Sequence, residues 1–166
     1  MADFYYYDTD ASGEAEYDIS GEEYRLLLET CFKYGEYFSF RYFEDRVNVP
    51  AGILRYAVSA KEANINCVFS TRKLENESGT AVCDQTVFLR LTDEVKKWIL
   101  SVTDSIFKWI DGWGNKNPED PMFYRADGSV LFESVIHDGV IHFNASENEN
   151  LSAILSDPLW TIKKPQ

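Results

Sequence analysis

Apolar positions in this chain recur with two periods, and each period predicts a different kind of element. Within the stretch Thr92 to Trp109 and the residue after it, Val95, Trp98, Ile99, Val102, Ile106, Trp109 and Ile110 recur at steps of three and four, which stacks them on one stripe of a helix. The pattern predicts a long helix over about 93–111, capped by Thr92 or Asp93, with acids in the first turn at the positive end of the dipole. Gly112 and Gly114 are its expected stop. A second helix is predicted over about 21–34, where Tyr24, Leu27, Leu28, Cys31 and Phe32 share a face. Ser20 and Glu23 have the spacing of a capping box there, and Gly35 is placed to end it. A third helix, over about 147–156, follows from the same box at Ser146 and Glu149, ahead of Leu151, Ile154 and Leu155; Pro158 blocks its continuation.

Alternation and β-forming composition predict the strands. Phe4 to Tyr7 is an aromatic run with strand propensity. In Glu36 to Phe43, Phe38, Phe40 and Tyr42 fall on one side and Tyr37, Ser39, Arg41 and Phe43 on the other. Asn66 to Thr71 and Val82 to Leu91 read as two more strands, with the polar run from Lys73 to Thr80 as a turn between them. From Asp45 to Asn64 the signal weakens, interrupted by Pro50 and Gly52, and Ile53 to Val58 fits a buried strand or a helical turn. After a loop from Trp113 to Pro121, a three-strand meander is expected over Met122 to Asn144, turning at Asp127-Gly128 and Asp138-Gly139. A two-residue second turn sets His137 against Val140 and Val135 against His142. Val130, Phe132, Ile136, Ile141 and Phe143 then make the core face, and Leu131, Glu133, Val135, His137, Val140 and His142 the other. Leu159 to Ile162 is a candidate edge strand. The sum is an α+β fold, one acidic domain over 1–166, with a mainly antiparallel sheet of about six to seven strands packed on the long helix and two further helices.

Charge adds what periodicity does not. The net charge of the 166 residues is -12, and it is unevenly spread. Residues 1–30 hold nine acids against Arg25 alone, residues 31–118 hold eleven acids against twelve bases, and residues 119–166 hold eight acids against three bases. Such a field repels phosphates and anionic lipid and accelerates encounter with a basic surface, so direct nucleic-acid and membrane binding are not expected. No apolar run approaches the roughly 20 residues that span a bilayer, and no secretory signal is evident, so a cytoplasmic location is the expectation. Cys31, Cys67 and Cys83 form no CxxC pair and read as reduced, buried thiols.

Motifs for chemistry are weak. Asp8, Asp10, Ser12 and Gly13 match the opening of a calcium loop, but its twelfth position is Ile19 instead of a glutamate. Glu133, His137 and His142 on one hairpin face are a second metal candidate, and they support an alternative reading as a small metal-dependent hydrolase or ligand-binding domain. No nucleophile motif, Walker loop or dinucleotide fingerprint is present, and no cofactor is expected. Tyrosine carries more weight: eight of the ten lie within residues 5–42, in and beside the most acidic segment. Tyrosine supplies broad contact area at small entropic cost, and surrounding acids raise the rate of encounter with a cation. Tyr5, Tyr7, Asp8, Asp10, Glu14, Glu16, Tyr17 and Asp18 are therefore the expected partner-binding set. In charge, size and aromatic content the chain is similar to small acidic immunity proteins that neutralise bacterial toxins. A non-enzymatic inhibitor of a basic, nuclease-type protein is the leading expectation, and a structural homo-oligomer subunit is the other alternative.

Overall fold

A computed structural model describes residues 2–7, 18–66, 72–75, 81–156 and 160–163. Its elements in chain order are β1 (Ala2–Tyr7), α1 (Gly21–Tyr34), β2 (Tyr37–Phe43), α2 (Ala51–Leu54), β3 (Ala57–Val58), β4 (Arg72–Glu75), β5 (Ala81–Arg90), α3 (Asp93–Val102), β6 (Asp111–Gly112), β7 (Asn115–Lys116), β8 (Glu119–Tyr124), β9 (Val130–Val135), β10 (Val140–Ala145) and β11 (Thr161–Lys163). Nine of the strands form one sheet in the order β11-β1-β10-β9-β8-β2-β5-β3, with β4 also paired to β5, while β6 and β7 form a separate hairpin. All the pairings are antiparallel, so the expected α+β class holds with more strands than expected. The additions include β3, from the segment that read both ways, and β4, whose Arg-Lys-Leu-Glu sequence reads as a polar turn. Charged residues are usual on a strand with a free edge, which is why composition misleads there. The strand expected at 66–71 lies almost wholly outside the described residues.

The helices pack on one face of the sheet. Tyr24, Leu27, Leu28 and Cys31 of α1 and Val95 and Ile99 of α3 close over Phe38, Phe40, Phe123, Phe132, Ile141 and Phe143. Burial pushes the Cys31 thiol pKa up and keeps it inert. Helix α1 has the predicted bounds, but Ser20 makes no side-chain cap; its backbone instead bridges Ser105, and Gly21 N–H donates to Asp104 O at 2.9 Å. The same pairing cuts the organising helix short. Helix α3 is capped by Thr92 as expected, with the hydroxyl accepting from Val95 N–H at 3.3 Å, yet it ends at Val102 instead of near 111. Thr103 is extended, and Ile106 N–H donates to Ile19 O at 3.1 Å. Residues 103–106 thus spend their backbone groups on the segment leading into α1. Trp109 and Ile110 stay in the core from an irregular stretch, and the Trp109 indole N–H reaches Tyr24 Oη at 2.8 Å. Among the described residues no helix is long and apolar enough to cross a membrane.

Three corrections concern the C-terminal half. The expected helix over 147–156 is a single turn, with Ile154 and Leu155 N–H both donating to Leu151 O at 3.0 Å; so short a run before Pro158 cannot repay helix nucleation. The β9–β10 connection is a 3-10 turn over Ile136–Asp138 closed by left-handed Gly139, not a two-residue turn. Val135 consequently faces Val140, and Glu133 faces His142. A register irregularity between β8 and β9 also exchanges two residues across the sheet: Leu131 enters the helix-covered core, and Val130 packs with Tyr37, Ala63, Ile65, Met122 and Tyr124 in a smaller cluster on the opposite face.

Candidate functional site

The most concentrated chemistry lies where the β6–β7 hairpin meets the β9–β10 turn. Trp113 and Gly114 at the hairpin tip both have positive φ, 49° and 83°, as a two-residue turn between twisted strands requires. A left-handed backbone is unusual for a residue as bulky as tryptophan. Trp113 is 76% exposed, and its ring centroid lies 5.9 Å from that of His137. Asp120, at the start of β8, also has positive φ, 52°. Conformations of this kind concentrate at functional sites, because surrounding structure must hold them against their cost.

Between these two residues runs a connected set of charged groups. Glu119 is 5% exposed; its Oε1 accepts from Asp111 N–H at 3.0 Å and lies 3.3 Å from His137 Nε2. Asp120 accepts from Ile136 N–H at 2.9 Å and from Arg41 Nη1 at 3.2 Å. Burial raises the Asp120 pKa above the ordinary carboxylate value, against the pull of those two donors. Asp111 Oδ2 is buried without a hydrogen bond, 3.6 Å from Arg46 Nη1. Beside this set a cavity of about 200 Å3 opens on the sheet face away from the helices, lined by Arg41, Thr86, Asp120, Met122, Glu133 and Val135 among others. Glu133 Oε1 lies 2.7 Å from His142 Nδ1.

No family model, curated protein or solved structure matches the chain.

The structure does not bring the expected metal trio together. Glu133 and His142 meet as cross-strand partners, but the 3-10 turn carries His137 to Glu119. Among the described residues no group of three or more His, Cys, Asp or Glu side chains could hold a metal ion. Of the expected partner-binding set, Tyr5 and Tyr7 lie in β1 at the register positions of His142 and Val140. Asp18 is exposed and accepts from Ser105 Oγ at 2.6 Å. Asp8, Asp10, Glu14, Glu16 and Tyr17 fall outside the described residues, as do Ser12 and Gly13 of the calcium-like loop, whose twelfth position, Ile19, is buried in the core. Sequence reasoning missed Arg41, Asp111, Trp113, Glu119 and Asp120. The signal was the run Asp-Gly-Trp-Gly-Asn at 111–115: a tryptophan between two glycines has no helical or strand stripe to join, which points to an exposed ring on a turn.

Proposed function

We propose that this chain is a non-enzymatic, acidic binding protein that masks a basic surface on another protein, in the manner of an immunity protein neutralising a cationic nuclease-type toxin in the cytosol. One observation carries the reading. Residues 1–30 and 119–166, the two acidic ends of the chain, supply the five adjacent strands from β11 to β8, whereas the near-neutral middle supplies β2 to β5. Those five strands themselves carry Asp3, Glu119, Asp120 and Glu133 against Lys163, whereas β2 to β5 carry Arg41, Arg72, Lys73 and Arg90 against Glu75 and Asp84. Negative charge is thereby concentrated on one half of the sheet, and Trp113 stands beside it against His137. A rigid exposed indole next to carboxylates is the composition of an interface anchor that attracts a cation and then buries an aromatic ring.

The test starts from affinity capture at low ionic strength and proceeds to kinetics with the captured protein. The expected partner is basic and inhibited by the chain, with an association rate that falls steeply as salt rises. Replacing Asp8, Asp10, Glu14 and Glu16 together by lysine should slow association and flatten that salt dependence. Asp18 is left out because it holds the Ser105 hydroxyl. An association rate indifferent both to salt and to the reversed charges would refute the reading.

A further inference from the structure

Resting on that reading, the cavity between β5, β2, β8 and β9 identifies what the acidic half-sheet recognises: we propose that it receives a single lysine or arginine side chain of the partner. Size is the first argument. At about 200 Å3 the cavity is smaller than the roughly 300 to 1,000 Å3 of drug-sized sites, and it suits one long side chain better than a free ligand. Its lining is the second. Met122 and half-exposed Val135 offer apolar wall for a methylene stem, while Asp120 and Glu133 offer carboxylates for a charged head, the division that lysine and arginine themselves show. Charge is the third. In the lining itself Asp120 and Glu133 stand against Arg41, two carboxylates to one guanidinium, so an incoming cation corrects the imbalance. The Asp120 side chain is 13% exposed and that of Glu133 is 43% exposed, which gives the cavity one deep carboxylate and one at the mouth. The β-sheet register adds the link to the N-terminal segment, since Tyr5 lies opposite His142 and His142 opposite Glu133. The aromatic strand β1 is thus separated by β10 alone from β9, the edge of the proposed pocket.

The experiment uses three acetylated and amidated pentapeptides, Ala-Ala-X-Ala-Ala, in which X is arginine, lysine or citrulline. Each is titrated into isotopically labelled full-length chain at low salt while backbone amide signals are followed. Arginine, lysine or both should shift Thr86, Asp120 and Val135 saturably, and which of the two binds more tightly names the preferred head group. Citrulline, which has the shape of arginine without its charge, should leave these signals in place. Glu133→Gln keeps the shape and removes the outer charge, and Val135→Trp closes the mouth at a half-exposed position. Glu133→Gln should weaken the peptide roughly tenfold, the effect expected of one charge-assisted contact, and Val135→Trp should weaken it at least as much by excluding the side chain. Equal shifts with citrulline, shifts confined to another surface, or undiminished binding by both variants would each overturn the proposal. Failure here is separable from failure of the wider reading. If the captured partner still associates in a salt-dependent way and Glu133→Gln leaves its affinity unchanged, only the pocket is lost; if association ignores salt altogether, the acidic-inhibitor reading itself falls.

Discussion

Arg125 ties the Glu149 segment, which no strand pairing joins to the sheet, to the ends of β9 and β10. Its Nε and Nη2 grip Glu149 at 2.6 and 2.8 Å, its Nη1 donates to Val130 O at 2.7 Å, and Nη2 also donates to the Asn144 carbonyl. Both side chains are largely buried, so removing one partner leaves the other charge desolvated and unpaired. The Arg125 hydrogen bond holds the Glu149 pKa below the ordinary carboxylate value, with burial opposing it. A depressed folded-state pKa means stability that is present above the unfolded-state value of about 4.3 and is lost as pH falls through the folded value. Glu149→Gln should therefore destabilise the protein by about 3 kcal/mol at neutral pH, the low end for breaking a buried ion pair from one side. Below the folded-state value the native carboxyl is itself protonated, so the difference between the two proteins should shrink. Urea unfolding at neutral and strongly acidic pH measures both gaps; equal gaps would mean that shape at this position matters and charge does not.

At the scale of elements, the β8–β9 turn is a docking point as well as a reversal. Gly128 has φ of 83°, and a Cβ built there would lie 2.1 Å from Asn64 O, while the Asn64 side-chain amide donates to Asp127 O at 2.9 Å. Both the backbone angle and the close approach of the 60–66 segment require glycine. Gly128→Ala should cost well over 1 kcal/mol, whereas Gly52→Ala in α2, with open space around it, should be neutral or stabilise by about 0.5 to 1 kcal/mol. Thermal unfolding of the pair makes the comparison, and similar midpoints would show that the turn does not seat that segment. The same contrast explains which parts of the fold are legible in sequence. Helix α1 is legible because its stripe, its acidic first turn and Gly35 agree within one local segment. The end of α3 is not, because the apolar stripe runs on to Ile110 while a backbone pairing some 85 residues away in sequence redirects residues 103–106. Asp138-Gly139 is legible as a turn but not as a turn of given length, since the length is fixed by burial of Ile136. In the site, Glu133 and His142 are legible as residues of one sheet face. The Glu119–His137 pair requires the three-dimensional meeting of β8 with the β9–β10 turn, and no local spacing encodes it.

For the whole molecule, the arrangement that gathers charge also opposes folding. Strands β11, β1, β10, β9 and β8 bring Asp3, Glu119, Asp120 and Glu133 together against Lys163 alone, in a chain of net charge -12, so mutual repulsion is present in the folded state and relaxed in the extended chain. Local attraction works the other way through pairs such as Arg25–Glu29, Arg90–Glu36 and Lys108–Asp104. These pairs are all well exposed, and such pairs contribute at most about 1 kcal/mol each and often nothing measurable. Repulsion acts over longer distances than the pairs do and should win. Raising salt from about 0.01 to about 0.1 M shortens the Debye length from roughly 30 to roughly 10 Å, enough to screen charges across the half-sheet while leaving contacts at 3 Å mostly intact. The melting midpoint should accordingly rise over that range, read by differential scanning calorimetry. The same salt should slow association with a cationic partner. Opposite signs in the two measurements are what a surface charged for recognition at the expense of stability must show; a midpoint that falls with salt would mean that local ion pairs, and not the gathered acidic ends, dominate the electrostatics of the fold.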